Sequence, residues 1–411
     1  MFLLEGRGDA ADGWAVGSLV AIQPRLVLAL DQVTPESIPA ALAQIDRLRA
    51  ERSLVSRGAN TGLAVLLGYN ALNRSVAAQG NSRLPDIVVL EVDRSIVASN
   101  GRFEFSSPDV ERWLESISGQ REVGVERVAA HATGAARTSL PRERYLAAVE
   151  KVRQAIARGE VYQANLCQQL SCDYRGDPLE YFRNQLDLQP APRAAFLSTH
   201  HGAMASLSPE TFVVSDGKNI QTVPIKGTRP RYDNLEQDRA AAAELLASEK
   251  DRAELLMIVD LERNDFGRIC RTGSVNVTEL AALRSYSNVH HLVAKVHGEL
   301  KQPFQFSHSL AAIYPGGSIT GAPKIASMRL LERLEPRRRE WFTGSLFWCA
   351  DDGSIDSSIL IRTVQFTQDE ALIGAGGGVV TDSDPETEWH ESNHKVRGLT
   401  QTLGFDPQEA R

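Results

Sequence analysis

Strands and helices that alternate along this chain without a steady βαβ repeat predict an α+β fold. Two observations carry that expectation. Short apolar runs divided by polar, Gly- and Asn-bearing turns fill the first 125 residues, as in LVAIQPRLVLAL, GLAVLLGYN and DIVVLEVDRSIVAS. From residue 140 onward, runs of helical period alternate irregularly with extended ones, and the last is DPETEWHESNHKVRGLTQTLG. A chain of 411 residues can form one large or two ordinary domains with a core that needs no disulfide.

Taken in order, residues 1–125 read as a strand-rich N-terminal subdomain with one weaker helical run near Ile38 to Ala50. Residues 121–139 have little periodicity and many small side chains, so they read as a connector to a second unit over 140–404. A helix then starts with Ser139 as N-cap and Pro141 in its first turn; Tyr145, Leu146, Val149, Val152 and Ile156 recur at helical spacing, and Gly159 closes it. Strands are expected at 161–170, 194–199, 203–207 and 211–215, long helices over 235–268, and a strand at 355–366. The stretch NIQTVPIKGTRPRYD is extended and runs into a Gly-Thr-Arg-Pro turn, where Gly227 permits close backbone approach. GAGGGVV, 374–380, reads as a glycine-rich loop after a strand at Ala371 to Ile373. The last helix is capped by Asp384, has Pro385 at its first position and ends at Gly404.

Composition excludes several classes of function. A formal charge of −7 and a pI near 5.8 leave no basic face for nucleic acid. The opening MFLLEGRGDA lacks a basic n-region and a long apolar run, and Gln23, Pro24 and Arg25 interrupt the next one, so neither a signal peptide nor a membrane span is expected. Cys167, Cys172, Cys270 and Cys349 have no metal-ligand or redox spacing, which suits buried free thiols in a reducing cytoplasm.

Several residues could carry chemistry. Lys226, at the edge of the extended stretch, is either a snorkelling surface lysine or a working amine. Glu388, Glu391 and Lys395 are spaced i, i+3, i+7 on one helix face; alone they make an ordinary solvated face. Asp251 and Glu254 open a helix that soon turns apolar through Leu255, Leu256, Ile258 and Val259, and such a start needs a counter-charge. Brought together, the two acidic pairs would offer the oxygen ligands a hard cation such as Mg2+ takes. The glycine run could present N–H groups to an anion or be a tight connection. Arg362, among Ile359, Leu360, Ile361 and Val364, requires a carboxylate from the protein or from a ligand. His291 is a core histidine or a site residue, and Glu210 a turn glutamate or an acid. PGGSITGAPK, residues 315–324, lacks the G-K-[ST] ending of a phosphate loop, which excludes nucleotide binding of that kind.

PIKGTRPR, AELLMIVDLERNDFGRIC, YSNVHHLVAKV, YPGGSITGAPK, SILIRTVQF and GAGGGVVTDSDPETEWHES together resemble the chorismate-utilising enzymes, the family of the anthranilate, aminodeoxychorismate, isochorismate and salicylate synthases. The resemblance runs in order over about 140–404 and more loosely through the N-terminal strands. It implies two large antiparallel sheets packed face to face with helices outside and the site between them. By motif it makes Glu254 and Glu391 direct Mg2+ ligands, with Asp251 and Glu388 close by or acting through water. It assigns Arg362 to the enolpyruvyl carboxylate of chorismate, Lys395 and the N–H groups of Gly376, Gly377 and Gly378 to the anion-binding end, and Gly227 and Thr228 to the substrate-binding set. Glu210 becomes the acid for the leaving 4-hydroxyl, and His291 the histidine near it.

Two positions sort the branches. Gln163 stands where the water-using enzymes carry a lysine, so it resembles the ammonia-using branch. PIKGT, rather than PIAGT, resembles the aminodeoxychorismate enzymes, which implies that Lys226 is a nucleophile and that the product serves para-aminobenzoate and folate synthesis. Anthranilate formation is the rival reading, and a non-catalytic binding subunit the alternative from another class. No part of the sequence resembles a glutaminase, so a separate glutamine amidotransferase partner is expected. The chain opens near the family's Leu-Leu-Glu region, which implies a shortened N-terminal edge, and Trp348 replaces an expected tyrosine.

Overall fold

The computed structural model describes residues 1–5, 14, 17–31, 33–54, 60–72, 82–99, 102–118, 128–286 and 289–411. Its described strands form two antiparallel sheets, one of 12 strands and one of 10. The larger sheet runs from Gly321–Ala322 through Gln163–Arg175, Glu370–Val379, Thr363–Phe366, Gly202–Ser208 and Arg193–Thr199 to Phe2–Glu5, Ser18–Ala21, Ser95–Ser99 and Arg102–Phe105. The smaller begins at Ile225–Pro230 and passes through Val289–Glu299, Asn219–Val223, Thr211–Ser215, Ile355–Ile359 and Ser345–Ala350 to Gly62–Leu67, Ile87–Val92 and Arg25–Leu30. The N-terminal strands therefore extend both sheets: Phe2 pairs with Leu197, and Leu66 with Leu346.

Side-chain alternation explains how the layers stack. GLAVLL, 62–67, is buried along its whole length, because a strand covered on both faces has no polar face to present. Leu63, Val65 and Leu67 join a core with Leu255, Val259 and Phe266 of the helix Glu249–Ile269. Ala64 and Leu66 point the other way, into a core with Phe2, Leu4 and Leu19 of the larger sheet. That second core holds the sheets face to face. Trp348 lies in it, stacked on Phe2 at 6.0 Å between ring centroids, so this position contributes packing between the sheets. Outside the larger sheet, the helices Pro178–Leu188 and Pro385–Leu403 supply Tyr181, Phe182, Val396 and Leu399 to a third core. All four cysteines are free and buried, as their scatter suggested.

Several elements differ from the sequence-based expectations. The helix after the connector spans Arg142–Ala157 with Pro141 at the cap; the Ser139 hydroxyl instead accepts the Gln169 N–H at 2.8 Å, since proline's fixed φ already suits the helix start. Of the connector, residues 121–127 lie outside the described residues, while His131–Ala132 and Arg137–Thr138 add short pairings to Gln163–Arg175. The expected helical span 235–268 is two helices, Leu235–Ala247 and Glu249–Ile269, divided at Ser248. GAGGG is no loop: Gly374 to Gly378 continue the strand Glu370–Val379, with Gly376 opposite Cys167 and Gly378 opposite Asn165. A Cβ at Gly376 would fall 2.3 Å from the Leu166 carbonyl oxygen, so close strand approach is what the glycines permit. Gly227 likewise sits inside the strand Ile225–Pro230, at a bulge with φ +72°.

The most consequential difference concerns 355–366. Ile355–Ile359 belongs to the smaller sheet and Thr363–Phe366 to the larger, so the chain crosses between sheets at Leu360 to Arg362. Arg362 makes that turn with φ +49°. The chain crosses a second time between Gly202–Ser208 and Thr211–Ser215, at Pro209 and Glu210. The crossings are hydrogen-bonded to each other, through Leu207 N–H to Arg362 O at 3.0 Å and Ile359 N–H to Glu210 O at 3.1 Å.

Candidate active site

The paired crossings bring Glu210 and Arg362 to the seam between the sheets, and the strand bearing Lys226 begins beside Glu210. Glu210 is 5% exposed, with its backbone N–H held by the Ser208 hydroxyl. Burial pushes its carboxyl up from 4.5 to about 7, against the opposing pull of Ser318, Lys226 and the Ile225 N–H. The Ser318 hydroxyl faces it but makes no hydrogen bond of good geometry among the described residues. Lys226 is enclosed on nearly every side yet keeps some surface in reach of solvent, as at the floor of a cleft. Burial lowers the pKa of its amine; Glu254, Glu210 and Glu391 resist that shift and Lys395 adds to it.

His291, on Val289–Glu299, is 3% exposed, and burial lowers it to about 4, so it is neutral. Its Nδ1 lies 3.1 Å from the Gly227 carbonyl and 3.0 Å from the Thr228 hydroxyl. A proton on Nδ1 donated to that carbonyl leaves Nε2 a bare acceptor, and Nε2 is buried with no partner among the described residues. Arg362 lies beside His291 along a small cavity that Tyr286 and Pro209 also line. No described carboxylate pairs with its guanidinium, and burial lowers its pKa. An enclosed guanidinium with no carboxylate partner among the described residues is able to take an anion.

The acidic residues come from the first two turns of two helices. Ser248 caps Glu249–Ile269 by accepting the Asp251 N–H, and Asp384 caps Pro385–Leu403 by accepting the Thr387 N–H. A Cβ at Gly377 would meet Glu388 Oε2 at 3.2 Å, Lys395 Nζ at 3.4 Å and Glu391 Oε1 at 3.8 Å. The bare glycine therefore faces a small space ringed by two carboxylates and an ammonium. Glu388 is buried, accepts the Ser383 hydroxyl at 2.6 Å, and is pushed up by burial and by Glu391. Burial also pushes Glu254 up, with Lys226 and Lys250 opposing and Asp251 and Glu391 adding to the rise. Glu391 behaves otherwise: burial would raise it, but Lys395, 2.7 Å away, holds it low. Lys395 also donates to Gly376 O at 3.2 Å.

Among the described residues, no three potential metal ligands converge on one point, and Asp251 is engaged at 3.4 Å by Arg229 beside Gly227. The donor set still has the chemistry a hard cation takes: Glu254, Glu388 and Glu391 interact electrostatically, burial penalises the charge on Glu254 and Glu388, and lysine charges oppose that penalty. Gln163 is buried, its amide nitrogen lying against Gly378 and its Oε1 without a partner among the described residues.

Sequence reasoning passed over Lys250, 3.9 Å from Glu254, whose i, i+4 spacing was a readable signal. It also passed over Ser318 and Glu262. Gly317 donates its N–H to Glu262 at 3.0 Å, and Lys324, the first residue of the helix Lys324–Leu334, pairs with Asp265, so both ends of the segment 317–324 are pinned to the helix Glu249–Ile269. Ser318, between those ties, faces Glu210.

Comparison with known proteins agrees with this architecture. The chain is 38% identical over 354 residues to aminodeoxychorismate synthase component 1 of Escherichia coli K12, covering 83% of this chain and 77% of that protein. It is 41% identical to the protein of the same name from Bacillus subtilis, over 64% of this chain and 56% of that one. It is 37% identical to anthranilate synthase component 1 of Aquifex aeolicus, over 65% and 54%. In fold it resembles anthranilate synthase component I of Streptococcus pneumoniae, with a TM-score of 0.76 at 24% identity over 93% of this chain and 92% of that one. The menaquinone-specific isochorismate synthase of Escherichia coli superposes with a TM-score of 0.73 at 17% identity, over 98% and 88%. The family model for chorismate binding enzymes matches residues 8–401, and the chain belongs to that family.

Proposed function

We propose that this chain is the aminating component of an aminodeoxychorismate synthase, converting chorismate and ammonia to 4-amino-4-deoxychorismate through a covalent adduct on Lys226. One observation carries the reading: Lys226 and Glu210 lie within electrostatic reach in one enclosed site, and burial drives the lysine down and the glutamate up. Those displacements favour a neutral amine beside a neutral carboxylic acid, the protonation state that nucleophilic attack with acid-assisted departure requires.

The neutral Lys226 amine adds to C2 of the ring while Glu210 gives its proton to the departing 4-hydroxyl, which leaves as water. Ammonia then forms the C4–N bond and expels the lysine from C2, restoring the free amine. Neutral His291 offers its bare Nε2 as an acceptor near that hydroxyl, and Arg362 answers the enolpyruvyl carboxylate. Gln163, an amide that cannot deprotonate water, leaves ammonia as the incoming nucleophile. Gly227 and Thr228 hold the bulge that aims Lys226. Gly376, Gly377, Gly378 and Lys395 border the end that takes the ring carboxylate. Glu254, Glu391, Asp251 and Glu388 would hold Mg2+, which when bound neutralises the ring carboxylate and draws electron density from the ring. Ammonia is supplied by a separate glutamine amidotransferase subunit, consistent with the "component 1" in the relatives' names. Four buried free thiols agree with a cytoplasmic setting, and no described helix is long and apolar enough to cross a membrane.

The test is incubation of the purified chain with chorismate, Mg2+ and an ammonium salt, with products identified by mass. Aminodeoxychorismate supports the reading, and glutamine should not replace ammonium when the chain is alone. Anthranilate as the product would assign the other aminating branch, and no turnover under any condition would favour a binding subunit.

A further inference from the structure

The C-terminal helix Pro385–Leu403 carries a second pattern that the chemistry above does not use. His390 and His394 are one turn apart, so they lie on one helix face. Both are exposed and line a groove of about 400 Å³ together with Glu391, Arg397 and Gln408. Gln408 approaches His390 Nδ1 at 3.5 Å through its side-chain amide. With that amide turned so that its oxygen accepts an Nδ1 proton, His390 Nε2 is left with its lone pair, the outer-shell arrangement a metal-bound imidazole commonly has.

We propose that His390 and His394 form a two-histidine site for a borderline divalent transition ion of the Zn2+ class, and that its occupation inhibits the enzyme through Glu391. Imidazole nitrogens select Zn2+, Ni2+ or Cu2+ over Mg2+, which takes oxygen ligands, so this site and the acidic one differ in the ions they hold. The sequence HESNH has the spacing of zinc peptidases, but Glu391 is held by Lys395 and no third ligand converges among the described residues, so peptidase chemistry is not implied. Glu391 lines both the groove and the space before Gly377. A cation on the two histidines would draw its carboxylate off Lys395 and away from the acidic site. This inhibitory step rests on the role given to Glu391 above; the binding step does not.

Trp389 supplies the readout, since its ring lies 5.0 Å from that of His390. Untagged protein without chorismate is titrated with Ni2+ while tryptophan fluorescence is followed, and Co2+ is added separately to record its visible spectrum. Saturable quenching is expected in the wild type. Loss of a mere outer-shell partner costs about 10–100-fold in metal affinity, so His390→Ala and His394→Ala should each weaken binding by about tenfold or more. Arg397→Ala, in the same groove, should not weaken it. Equal quenching in the wild type and both histidine variants would overturn the site. Chorismate consumption at fixed Mg2+ is then measured against Zn2+: inhibition in the wild type that is lost in His394→Ala is expected. Histidine-dependent binding without that inhibition would overturn the link to Glu391.

Discussion

Replacing Glu210 by glutamine tests the seam between the sheets most directly, because shape is kept while the titrating proton is removed. A carboxyl moved from 4.5 to about 7 by burial has an ionised form destabilised by about 3 kcal/mol relative to the unfolded chain. The sign follows from proton counts. Between about pH 4.5 and 7 the folded protein retains the Glu210 proton while the unfolded chain releases it, so wild-type stability falls as pH rises through that window. Above about pH 7 the whole penalty is present; below about 4.5 it is absent. Glu210→Gln escapes it, so relative to wild type the variant should gain stability between pH 5 and pH 8, by up to about 3 kcal/mol, read as a difference in melting temperature at the two pH values. Turnover should move the opposite way. An acid titrating near 7 gives a descending alkaline limb in the pH–rate profile, and the variant should lose that limb along with about 10²–10⁴ of the rate. If the stability gap between the proteins is the same at pH 5 and pH 8, Glu210 is not held neutral by the fold. If the variant keeps both rate and alkaline limb, Glu210 is not the acid.

Lys226→Ala should leave chorismate binding measurable while aminodeoxychorismate formation falls by orders of magnitude, with residual flux appearing as the C2-aminated compound or anthranilate; near-normal product formation would return Lys226 to a packing role. Glu254→Gln and Glu391→Gln should each abolish Mg2+-dependent turnover, and calorimetry with Mg2+ should register weaker binding; activity surviving both with unchanged Mg2+ dependence would remove them from the metal set. Gly377→Ala places a methyl 3.2 Å from Glu388 and 3.4 Å from Lys395, so Mg2+ affinity should drop with little change in melting temperature. A variant with normal Mg2+ binding would show that the space before Gly377 is not where the cation sits.

The fold class was legible because strand and helix periods are local properties: apolar runs such as GLAVLL and the capped helix from Asp384 to Gly404 carry their own signals. The family was legible as well, since Lys226, Glu254, Arg362 and Glu391 stand in long stretches of family-like sequence. Local patterns also misled. Gly374 to Gly378 read as a loop because glycine commonly marks one, whereas close approach of Gln163–Arg175 requires glycines inside the strand. The segment 355–366 read as one strand because apolar residues continue through it, and nothing local announces that the chain leaves one sheet for the other at Arg362. Only the tertiary structure places that crossing beside the one at Glu210, ties the segment bearing Ser318 to Glu262, sets Glu388 and Glu391 beside Gly377, and brings Glu254 within electrostatic reach of Glu391. The physical reason is that residue type and spacing determine which groups can ionise, coordinate or attack, whereas burial and the charges facing a group determine which of its protonation states exists. Those depend on strands far apart in sequence: the Lys226 amine is pushed down and the Glu210 carboxyl pushed up only because the folded chain encloses both.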